Sequence, residues 1–358
     1  MEPSGESDRP VPPCSQKGND LLNESSSLSA SVIIPVFNAQ DLIPNLLEAL
    51  AAQSRPAHEI LLVDDGSKDG TVEVAREWGD RRTDVPLRIL QQENSGPAAA
   101  RNFGAREATG DLLLFIDGDC IPETDWLEKM MEPFGDERLV GVQGAYRCKQ
   151  TEIVARFCQL EIEDRYLRMN REETIDFIGT YAAGYRREVF LENGLFDDRY
   201  PMASGEDADF SFRLAGKGLR MVFQPEAIVY HRHPTSLFKY LKQKYWRAYW
   251  RNLIYRRHRG RMLKDSYTPN TLKFQTLLGV LFPISFAALW LPGPGWLVPA
   301  GILAVIIAFT IPFSLWAAKK DLTVAIFSPV FLLLRTFALA AGAGYGLLKG
   351  LWLNEDYL

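Results

Sequence analysis

Two aspartates separated by a single glycine follow an apolar run near the middle of the chain. Leu112 to Ile116 are all apolar, and Asp117, Gly118 and Asp119 come directly after them. Two carboxylates this close repel each other unless a cation or a proton lies between them. The glycine allows the backbone to bend so that both side chains face one point. Because Mg²⁺ and Mn²⁺ prefer oxygen ligands, the pair predicts a site for one of these ions, the alternative being a polar loop without an ion.

The residues around this pair follow segments with the length and composition of β-strands. Strand-like segments alternate with helical patterns in the order SVIIPVF, EILLVDDGS, LRILQQ and DLLLFIDGD. This alternation predicts an α/β domain over residues 30–233, built on a parallel, doubly wound sheet. In such sheets ligands bind beyond the carboxyl ends of the strands. The polar residues after the first, second and fourth segments are therefore expected to meet at one edge: Asn38, Asp64, Asp65, Asp117 and Asp119.

The expected ligand at this edge is a nucleotide diphosphate, whose charge a metal ion would neutralise as it leaves. The chain has no GxxxxGK[ST] sequence, which excludes a P-loop, and the absence of GxGxxG argues against a dinucleotide-binding domain. Its four cysteines show neither CxxC nor zinc-ligand spacing, which indicates reduced thiols in a cytosolic setting. Asp64 and Asp65 also fit a simpler interpretation, a turn that caps the following helix.

The C-terminal quarter has the composition of membrane-spanning helices. Residues 274–292 and 296–318 contain no charged residue, and 322–348 contain only Arg335. Each segment is long enough to cross the roughly 30 Å hydrocarbon core of a bilayer. Basic residues before the first and third segments predict a multi-pass protein of the cell (inner) membrane with its α/β domain in the cytoplasm. Residues 1–29, rich in Ser, Pro and Asn, are predicted to be a disordered tail.

A basic, aromatic segment, residues 234–268, separates the α/β domain from the first span. From Thr235 to Lys264 there is no acidic residue and there are ten Lys or Arg. Apolar residues recur at helical spacing at Phe238, Leu241, Tyr245, Tyr249 and Leu253. This pattern predicts an amphipathic helix at the membrane surface, in contact with lipids. Because membrane spans follow at once, nucleic acid is not an expected partner.

Arg335 is the one charged residue in the third span, and burying it requires a partner. A lone Arg at the bilayer centre costs at least about 2.5–3.5 kcal/mol on insertion scales. No acid lies within the three spans. Helix-end carbonyls, a water-filled cleft or a lipid phosphate are therefore the expected partners. Alternatively, a helix tilted or broken at Pro329 would let Arg335 reach the interface.

Five ordered motifs resemble those of family 2 glycosyltransferases of the GT-A fold. They are IIPVFN, VDDGSKDGT, NSGPAAARNFG, FIDGD and GEDADFSFR, and they cover roughly residues 30–233. Members that resemble this sequence transfer a sugar from a nucleotide diphosphate of the UDP or GDP type, with inversion at the anomeric carbon. The resemblance therefore implies a membrane-anchored inverting glycosyltransferase that uses Mg²⁺ or Mn²⁺. The membrane segments indicate a lipid-linked or glycan acceptor.

The resemblance also implies a role for individual residues. The nucleotide-sugar would contact Pro35, Phe37, Asn38, Asp65, Arg101, Asp117 and Asp119. Pro35 and Phe37 would line the nucleobase pocket, Asp65 would accept a hydrogen bond from the base, and Arg101 would lie beside the nucleotide. In place of the Glu that the family commonly has after the Asn, this chain has Ala39 and Gln40, which leaves the base preference open.

The metal ligands and the catalytic base are implied in the same way. Asp117 and Asp119 match the DxD motif, with Asp119 the more direct ligand, and His231 at the end of a late strand would complete the metal shell. Asp207 would be the base that deprotonates the acceptor hydroxyl, and Glu206 its neighbour. These two acids could exchange roles, and both would also suit the positive end of a helix.

Other functions are compatible with the same residues. A nucleotidyltransferase shares an α/β core with paired acids, and a non-catalytic scaffold would tolerate their loss. A processive polysaccharide synthase is a further alternative. QKYWR, at residues 243–247, resembles the QxxRW motif of such synthases, but its last two residues are transposed. Because the motif itself is not present there, this segment argues against a processive enzyme.

Overall fold

The computed structural model describes residues 28–200, 205–258, 260 and 266–352. The tail predicted at 1–29 lies almost wholly outside this part of the chain. An α/β domain is built on one eight-stranded sheet of order β3-β2-β1-β4-β7-β6-β8-β5. Its strands are β1 (Ala30–Val36), β2 (Glu59–Asp64), β3 (Leu87–Gln91), β4 (Leu112–Ile116), β5 (Ile121–Pro122), β6 (Leu139–Arg147), β7 (Ala182–Arg186) and β8 (Arg220–Tyr230).

The first half of the sheet has the predicted parallel arrangement. β1 pairs in parallel with β2 and β4, and β2 pairs in parallel with β3. Because successive side chains of a strand point to opposite faces, the continuous apolar runs fill two cores. The helices that cover these strands are α1 (Ile43–Ala51) and α2 (Thr71–Arg81) over one core and α3 (Pro97–Glu107) over the other.

The second half of the sheet departs from the parallel prediction. β7 is antiparallel to both β4 and β6, and β5 is antiparallel to β8. The helix between β6 and β7, α5 (Ile153–Met169), reaches the sheet core only through its C-terminal end, at Tyr166 and Met169. Nearer its N-terminal end, Phe157 packs against Phe313 and Phe331 of the C-terminal helices. The other helices of this half are α4 (Trp126–Met131), α6 (Arg187–Glu192) and α7 (Glu206–Gly216).

The C-terminal region contains three helical segments long and apolar enough to cross a membrane. They run from Asn270 to Trp290, from Leu297 to Ala318 and from Leu322 to Lys349, close to the three predicted spans. That these helices cross a membrane remains a prediction. The component helices are α9 (Asn270–Ser285), α10 (Leu297–Ala308), α11 (Ile311–Ala318) and α12 (Leu322–Trp352). α12 is continuous through Pro329, so the predicted break at this proline does not occur.

The basic segment forms one long helix, α8 (Leu237–Arg257), which lies against α12. Asn252 Nδ2 donates a hydrogen bond to the carbonyl of Ala343 at 2.7 Å. A Cβ atom on Gly342 would lie 2.0 Å from the carbonyl oxygen of Tyr245, so only glycine permits this approach. The α/β domain is therefore held to the third span through α8. A position at the membrane surface remains a prediction.

Arg335 of α12 has a partner that the sequence interpretation did not anticipate. Its Nη1 lies 2.5 Å from Glu161 Oε1 of α5, and its Nη2 donates to Gln275 Oε1 of α9 at 2.8 Å. Glu161 also contacts Lys244 Nζ at 2.9 Å and accepts from the Tyr240 hydroxyl at 2.8 Å. The partner of Arg335 is therefore a carboxylate of the α/β domain, which was not among the expected partners.

Candidate active site

The carboxyl ends of β1, β2 and β4 gather the polar residues as the sequence predicted. These strands are neighbours and run in the same direction, so Asn38, Asp65, Asp117 and Asp119 follow them at one edge of the sheet. Gly118 between the two aspartates packs closely on β1. A Cβ atom there would lie 3.1 Å from Val36 Cγ1, which explains the glycine sterically.

A buried arginine joins the two acidic clusters of the sequence. Arg101 of α3 places Nη2 at 2.6 Å from Asp117 Oδ1 and Nη1 at 3.1 Å from Glu206 Oε1. Glu206 is itself buried, and its Oε2 accepts the backbone N–H of Gly205 at 3.0 Å. The arginine therefore fixes the FIDGD loop relative to the start of α7. Both Nη atoms of Arg101 are paired with carboxylates. The contact expected between Arg101 and the nucleotide stays a prediction.

Asp207 lies in the first turn of α7, next to Glu206, and unlike Glu206 it is only partly buried. Its Oδ1 accepts the backbone N–H of Ala208 at 2.7 Å. Loss of water contact and the negative charge of Glu206 together raise the pKa of Asp207 to about 7. A carboxylate with such a pKa is suited to accept a proton near neutral pH, and its partial exposure leaves it reachable by a substrate. This geometry favours Asp207 over Glu206 as the base.

His231, just beyond the end of β8, lies beside the FIDGD loop. Its Nε2 is 3.3 Å from Asp119 Oδ2. The Tyr146 ring contacts the imidazole with centroids 4.7 Å apart and stacks on Tyr181 at 3.4 Å, which holds the histidine in place. Burial would raise the pKa of Asp119, but the hydrogen bond and charge of His231 outweigh it and lower that pKa.

The side chains at this edge suit a divalent cation whose remaining ligands are water and phosphate oxygens. Among the residues that the structure describes, no three His, Cys, Asp or Glu form a ready-made metal cluster. Asp119 and Asp117 have side chains 42 % and 28 % exposed, so both carboxylates are open to the cleft. His231 Nδ1 is buried without a hydrogen-bond partner. Two carboxylates and an imidazole completed by water and phosphate oxygens suit Mg²⁺ or Mn²⁺.

The nucleoside end of the predicted site combines an exposed ring with tightly hydrogen-bonded loops. Phe37 is 48 % exposed beyond the end of β1, as a stacking surface requires. Asn38 has a positive φ of 51° and its Oδ1 accepts the backbone N–H of Lys68 at 2.8 Å, which ties the β1 loop to the β2 loop. Gln40 Oε1 likewise accepts the N–H of Gly70 at 2.8 Å, so this departure from the family pattern has a structural role.

Asp65 has contacts that the sequence did not indicate. Its Oδ1 accepts from Gln92 Nε2 at 2.7 Å and from the Ser95 N–H at 2.8 Å, and its Oδ2 accepts the Gly96 N–H at 2.9 Å. The carboxylate thus anchors the loop that leads into α3. Its predicted hydrogen bond to the base would have to use the remaining lone pair of Oδ2.

Three residues of the candidate site were not identified from the sequence: Tyr146, Arg251 and Tyr267. The ring of Tyr267 lies beside the guanidinium of Arg251, whose charge lowers the pKa of Asp207 against the larger effect of burial. Tyr146 beside His231 was also missed. Arg251 belongs to a regular stripe along α8 that could have identified it, whereas no local pattern singles out Tyr146 or Tyr267.

Comparison with known proteins identifies the family of the chain. The family model for glycosyl transferase family 2 matches residues 31–194. Glycosyltransferase AglE of Haloferax volcanii is 31% identical over 226 residues, which are 61% of this chain and 71% of the relative. The dolichyl N-acetyl-alpha-D-glucosaminyl phosphate 3-beta-D-2,3-diacetamido-2,3-dideoxy-beta-D-glucuronosyltransferase of Methanococcus voltae is 24% identical, covering 89% of this chain and 97% of the relative.

A solved structure extends the likeness to the membrane region. The mannosyltransferase PcManGT of Pyrobaculum calidifontis, in complex with GDP-Man and Mn²⁺, superposes with a TM-score of 0.62 at 20% identity. The match covers 93% of this chain and 96% of that one, which shows the GT-A fold. Two other curated relatives are matched over only 46% of their length. The motifs, the fold and the relatives agree, and the chain belongs to glycosyltransferase family 2.

Proposed function

We propose that this glycosyltransferase moves a sugar, with inversion, from a nucleotide-diphosphate-sugar to a lipid-linked or glycan acceptor at the membrane. The observation that carries the proposal is the position of Asp207. Arg101 connects the metal-binding edge of the sheet to Glu206, so the candidate base is held at a fixed place next to the Asp117–Asp119 pair. One base beside one diphosphate site is what a single displacement at the anomeric carbon requires.

The proposed reaction is one concerted exchange of bonds. The acceptor hydroxyl oxygen forms a bond to the anomeric carbon while the bond from that carbon to the diphosphate oxygen breaks. Asp207 takes the hydroxyl proton, and the nucleotide diphosphate leaves with the electron pair of the broken bond. Asp117, Asp119 and His231 would hold Mg²⁺ or Mn²⁺, which when bound neutralises charge on the leaving diphosphate. Glu206, paired with Arg101, keeps Asp207 in position.

Donor and acceptor class are proposed from the relatives and from the membrane helices. The superposed mannosyltransferase was solved with GDP-Man and Mn²⁺, which supports a nucleotide-sugar of the GDP or UDP type and a divalent ion. The relative from Methanococcus voltae is named for a dolichyl sugar phosphate acceptor. Because α8 attaches the α/β domain to α12, an acceptor anchored in the bilayer is the substrate best suited to this site.

The proposed orientation places the catalytic domain in the cytoplasm, against the inner membrane. The argument is the charge pattern: α8 precedes the first span with several Lys and Arg, and Lys319 and Lys320 precede the third. Excess positive charge marks the cytoplasmic side of membrane proteins. A sugar nucleotide made in the cytoplasm would then reach the site without crossing the membrane.

A panel of sugar nucleotides tests the proposed reaction. The full chain in detergent is incubated with each UDP and GDP sugar, with Mn²⁺, with Mg²⁺ and with EDTA. We expect a metal-dependent rise in thermal stability and slow release of nucleoside diphosphate for one donor. The product of transfer should have the opposite anomeric configuration to the donor by nuclear magnetic resonance. Release of pyrophosphate instead would identify a nucleotidyltransferase, and retention of configuration would contradict the single displacement.

A further inference from the structure

The helix α8 has two different faces. Ala248, Tyr249 and Asn252 face α12, where Asn252 bonds to Ala343 and the Tyr249 ring stacks on that of Tyr345. A second set recurs at intervals of four, three and four residues and so lies along one side of the helix: Tyr240, Lys244, Arg247 and Arg251. We refer to these four residues as the basic stripe. Its Tyr240 and Lys244 contact Glu161 of the α/β domain, so the stripe faces that domain.

At the C-terminal end of the basic stripe, Arg251 contacts Tyr267, which also contacts Arg165 of α5. Arg251 lies over the rings of Phe177 and Tyr267, with its guanidinium carbon 5.9 and 5.7 Å from their centroids. Arg165 of α5 donates from Nη1 to the Tyr267 hydroxyl at 2.7 Å and lies over the same ring at 4.7 Å. Tyr267 is therefore held between guanidinium groups from two helices.

Positive charge is concentrated at this place. Burial would raise the pKa of the Tyr267 phenol, but the charges of Arg165, Arg247 and Arg251 outweigh it and lower that pKa, even though Asp207 acts in the opposite direction. Burial and the charges of Arg165 and Arg247 also lower the pKa of Lys244 to about 8, against the opposing charge of Glu161. The guanidinium charges around Tyr267 therefore favour a negative charge at this place.

Arg247 is the member of the basic stripe that is available to bind a ligand. It is exposed, and it makes no hydrogen bond or ion pair with any residue that the structure describes. It lies three residues after Lys244 and four residues before Arg251, which places it on the same side of α8 as those two residues. A guanidinium in this position can form two parallel hydrogen bonds to a phosphate.

The arginines around Tyr267 lie between Asp207, the candidate base, and the start of the predicted membrane helices. Tyr267 is close enough to Asp207 for each charge to act on the other site, and the first span starts at Asn270, three residues further along the chain. A substrate with its reacting hydroxyl at Asp207 and its tail in the bilayer must therefore pass this point. The reacting group itself is a hydroxyl in the proposed reaction, so an anion bound here would serve as a binding group and not as the nucleophile.

We propose that Arg247, with Arg251 and Arg165 around Tyr267, binds the phosphate of a polyprenyl-phosphate-type lipid that carries the acceptor. This inference rests on the proposed function, since it assigns the acceptor side of the same site. The phosphate would bind through guanidinium groups, whereas the donor diphosphate would bind through the metal ion. The two phosphate sites should consequently differ in their dependence on metal.

Calorimetric titration of the full chain in detergent with farnesyl phosphate, in EDTA, tests the proposal. We expect the wild type to bind farnesyl phosphate without metal and to bind farnesol far more weakly. Arg247→Gln should weaken binding of farnesyl phosphate about tenfold, as loss of a charge-assisted contact of about 1.4 kcal/mol predicts. Arg247→Lys, which keeps the charge but loses the planar fork, should fall between the two.

Lys242→Gln is the matched control, because Lys242 is an exposed cation of the same helix outside the stripe. It should change farnesyl phosphate affinity less than about twofold. Equal weakening in both variants, or no binding by the wild type, would overturn the proposal. A parallel titration with the donor found in the nucleotide panel, in Mn²⁺, should give the same affinity for wild type and Arg247→Gln. Selective loss of donor affinity in that arm would assign Arg247 to the donor diphosphate and also overturn the proposal.

The two proposals can fail separately. Farnesyl phosphate binding is measured without a sugar nucleotide and without metal, so it does not require transferase activity. If no donor binds but Arg247→Gln still weakens farnesyl phosphate selectively, the proposed reaction fails while the phosphate site stands. If donors bind and react but farnesyl phosphate does not bind, only the phosphate site fails.

Discussion

At the scale of residues, the first two carboxylates of the GEDADF motif, Glu206 and Asp207, have different surroundings and therefore different roles. Glu206 is buried and paired with Arg101, whereas Asp207 is partly exposed and pairs with a backbone N–H. The sequence placed both acids at the start of a helix, and the family resemblance favoured Asp207 as the base while leaving an exchange of roles open. The ranking depends on Arg101, which lies 105 residues away from Glu206 along the chain.

The raised pKa of Asp207 predicts the pH dependence of transfer. Protonation removes the base, so kcat/KM should fall as pH decreases below about 7. Burial is the main cause of the shift, followed by the charge of Glu206. Steady-state rates between pH 5 and pH 9 at saturating metal check this, and a flat profile across pH 7 would speak against Asp207 as base.

The raised pKa of Asp207 also predicts how the stability of the folded protein depends on pH. The folded state holds its proton on Asp207 up to about pH 7, whereas the unfolded state loses it near the ordinary value of 3.8. Stability from this group is therefore present at low pH and is lost as pH rises towards 7. Asp207→Asn should raise the Tm relative to wild type at pH 8 and leave it nearly unchanged at pH 3.5. An equal or lower Tm at pH 8 would contradict the assignment.

Asp119 is predicted to act through the metal ion. Asp119→Asn removes a charged ligand from the open side of the FIDGD loop and should weaken Mn²⁺-dependent donor binding by at least about tenfold. Calorimetric titration with the donor measures this. Asp80→Asn, an exposed carboxylate on α2, is the charge-matched control and should leave donor affinity unchanged. Full metal-dependent affinity in Asp119→Asn would remove Asp119 from the ligand set.

At the scale of elements, local patterns predicted some parts of the fold and missed others. β1, β2 and β4 are continuous apolar runs that end in polar residues, so their type and their shared edge follow from the sequence. β7 and α5 were not assigned from the sequence, and α5 is positioned in part by contacts with the C-terminal helices. Glu161 and Arg335 are 174 residues apart, and no periodicity connects positions that far along the chain.

The ion cluster around Glu161 is predicted to hold three elements together. Glu161→Ala leaves Lys244 and Arg335 buried without their shared carboxylate, and loss of one partner of a buried pair typically costs about 3–5 kcal/mol. The Tm in detergent should fall by several degrees. Glu163→Ala is the control two positions along, where a more exposed carboxylate pairs with Lys320, and it should cost less than about 1 kcal/mol. Equal effects of the two substitutions would contradict a special role for the buried cluster.

At the scale of the whole molecule, the α/β domain and the third span form one unit through α8. The basic pattern of α8 was predicted from the sequence, and the structure shows that this helix packs against glycines of α12. Gly342 lies against the backbone of Tyr245, and Gly346 lies against that of Tyr249. The α/β domain that carries Asp207 is therefore attached to α12, the predicted third span, which suits the proposed membrane-anchored acceptor.

Two glycines of α12 test this packing. Gly342→Ala would bring a Cβ to 2.0 Å from the Tyr245 carbonyl oxygen and should destabilise the protein by about 1–3 kcal/mol as the helices separate. Gly344→Ala has no atom within 4 Å of its Cβ and should be neutral, or stabilise the helix by about 0.5–1 kcal/mol. Thermal unfolding in detergent compares them. A Gly342→Ala protein as stable as Gly344→Ala would contradict the close contact.

The assignment of Asp207 as the base of a metal-dependent transfer is tested most directly by Asp207→Asn. The substitution keeps the shape of the side chain and removes its ability to take a proton. Donor affinity in Mn²⁺ and rate of transfer to the membrane acceptor are measured on the same preparation. We expect unchanged donor affinity and a rate lower by about 10²–10⁴-fold. A rate within a few-fold of the wild type would contradict the account and move the base to another residue.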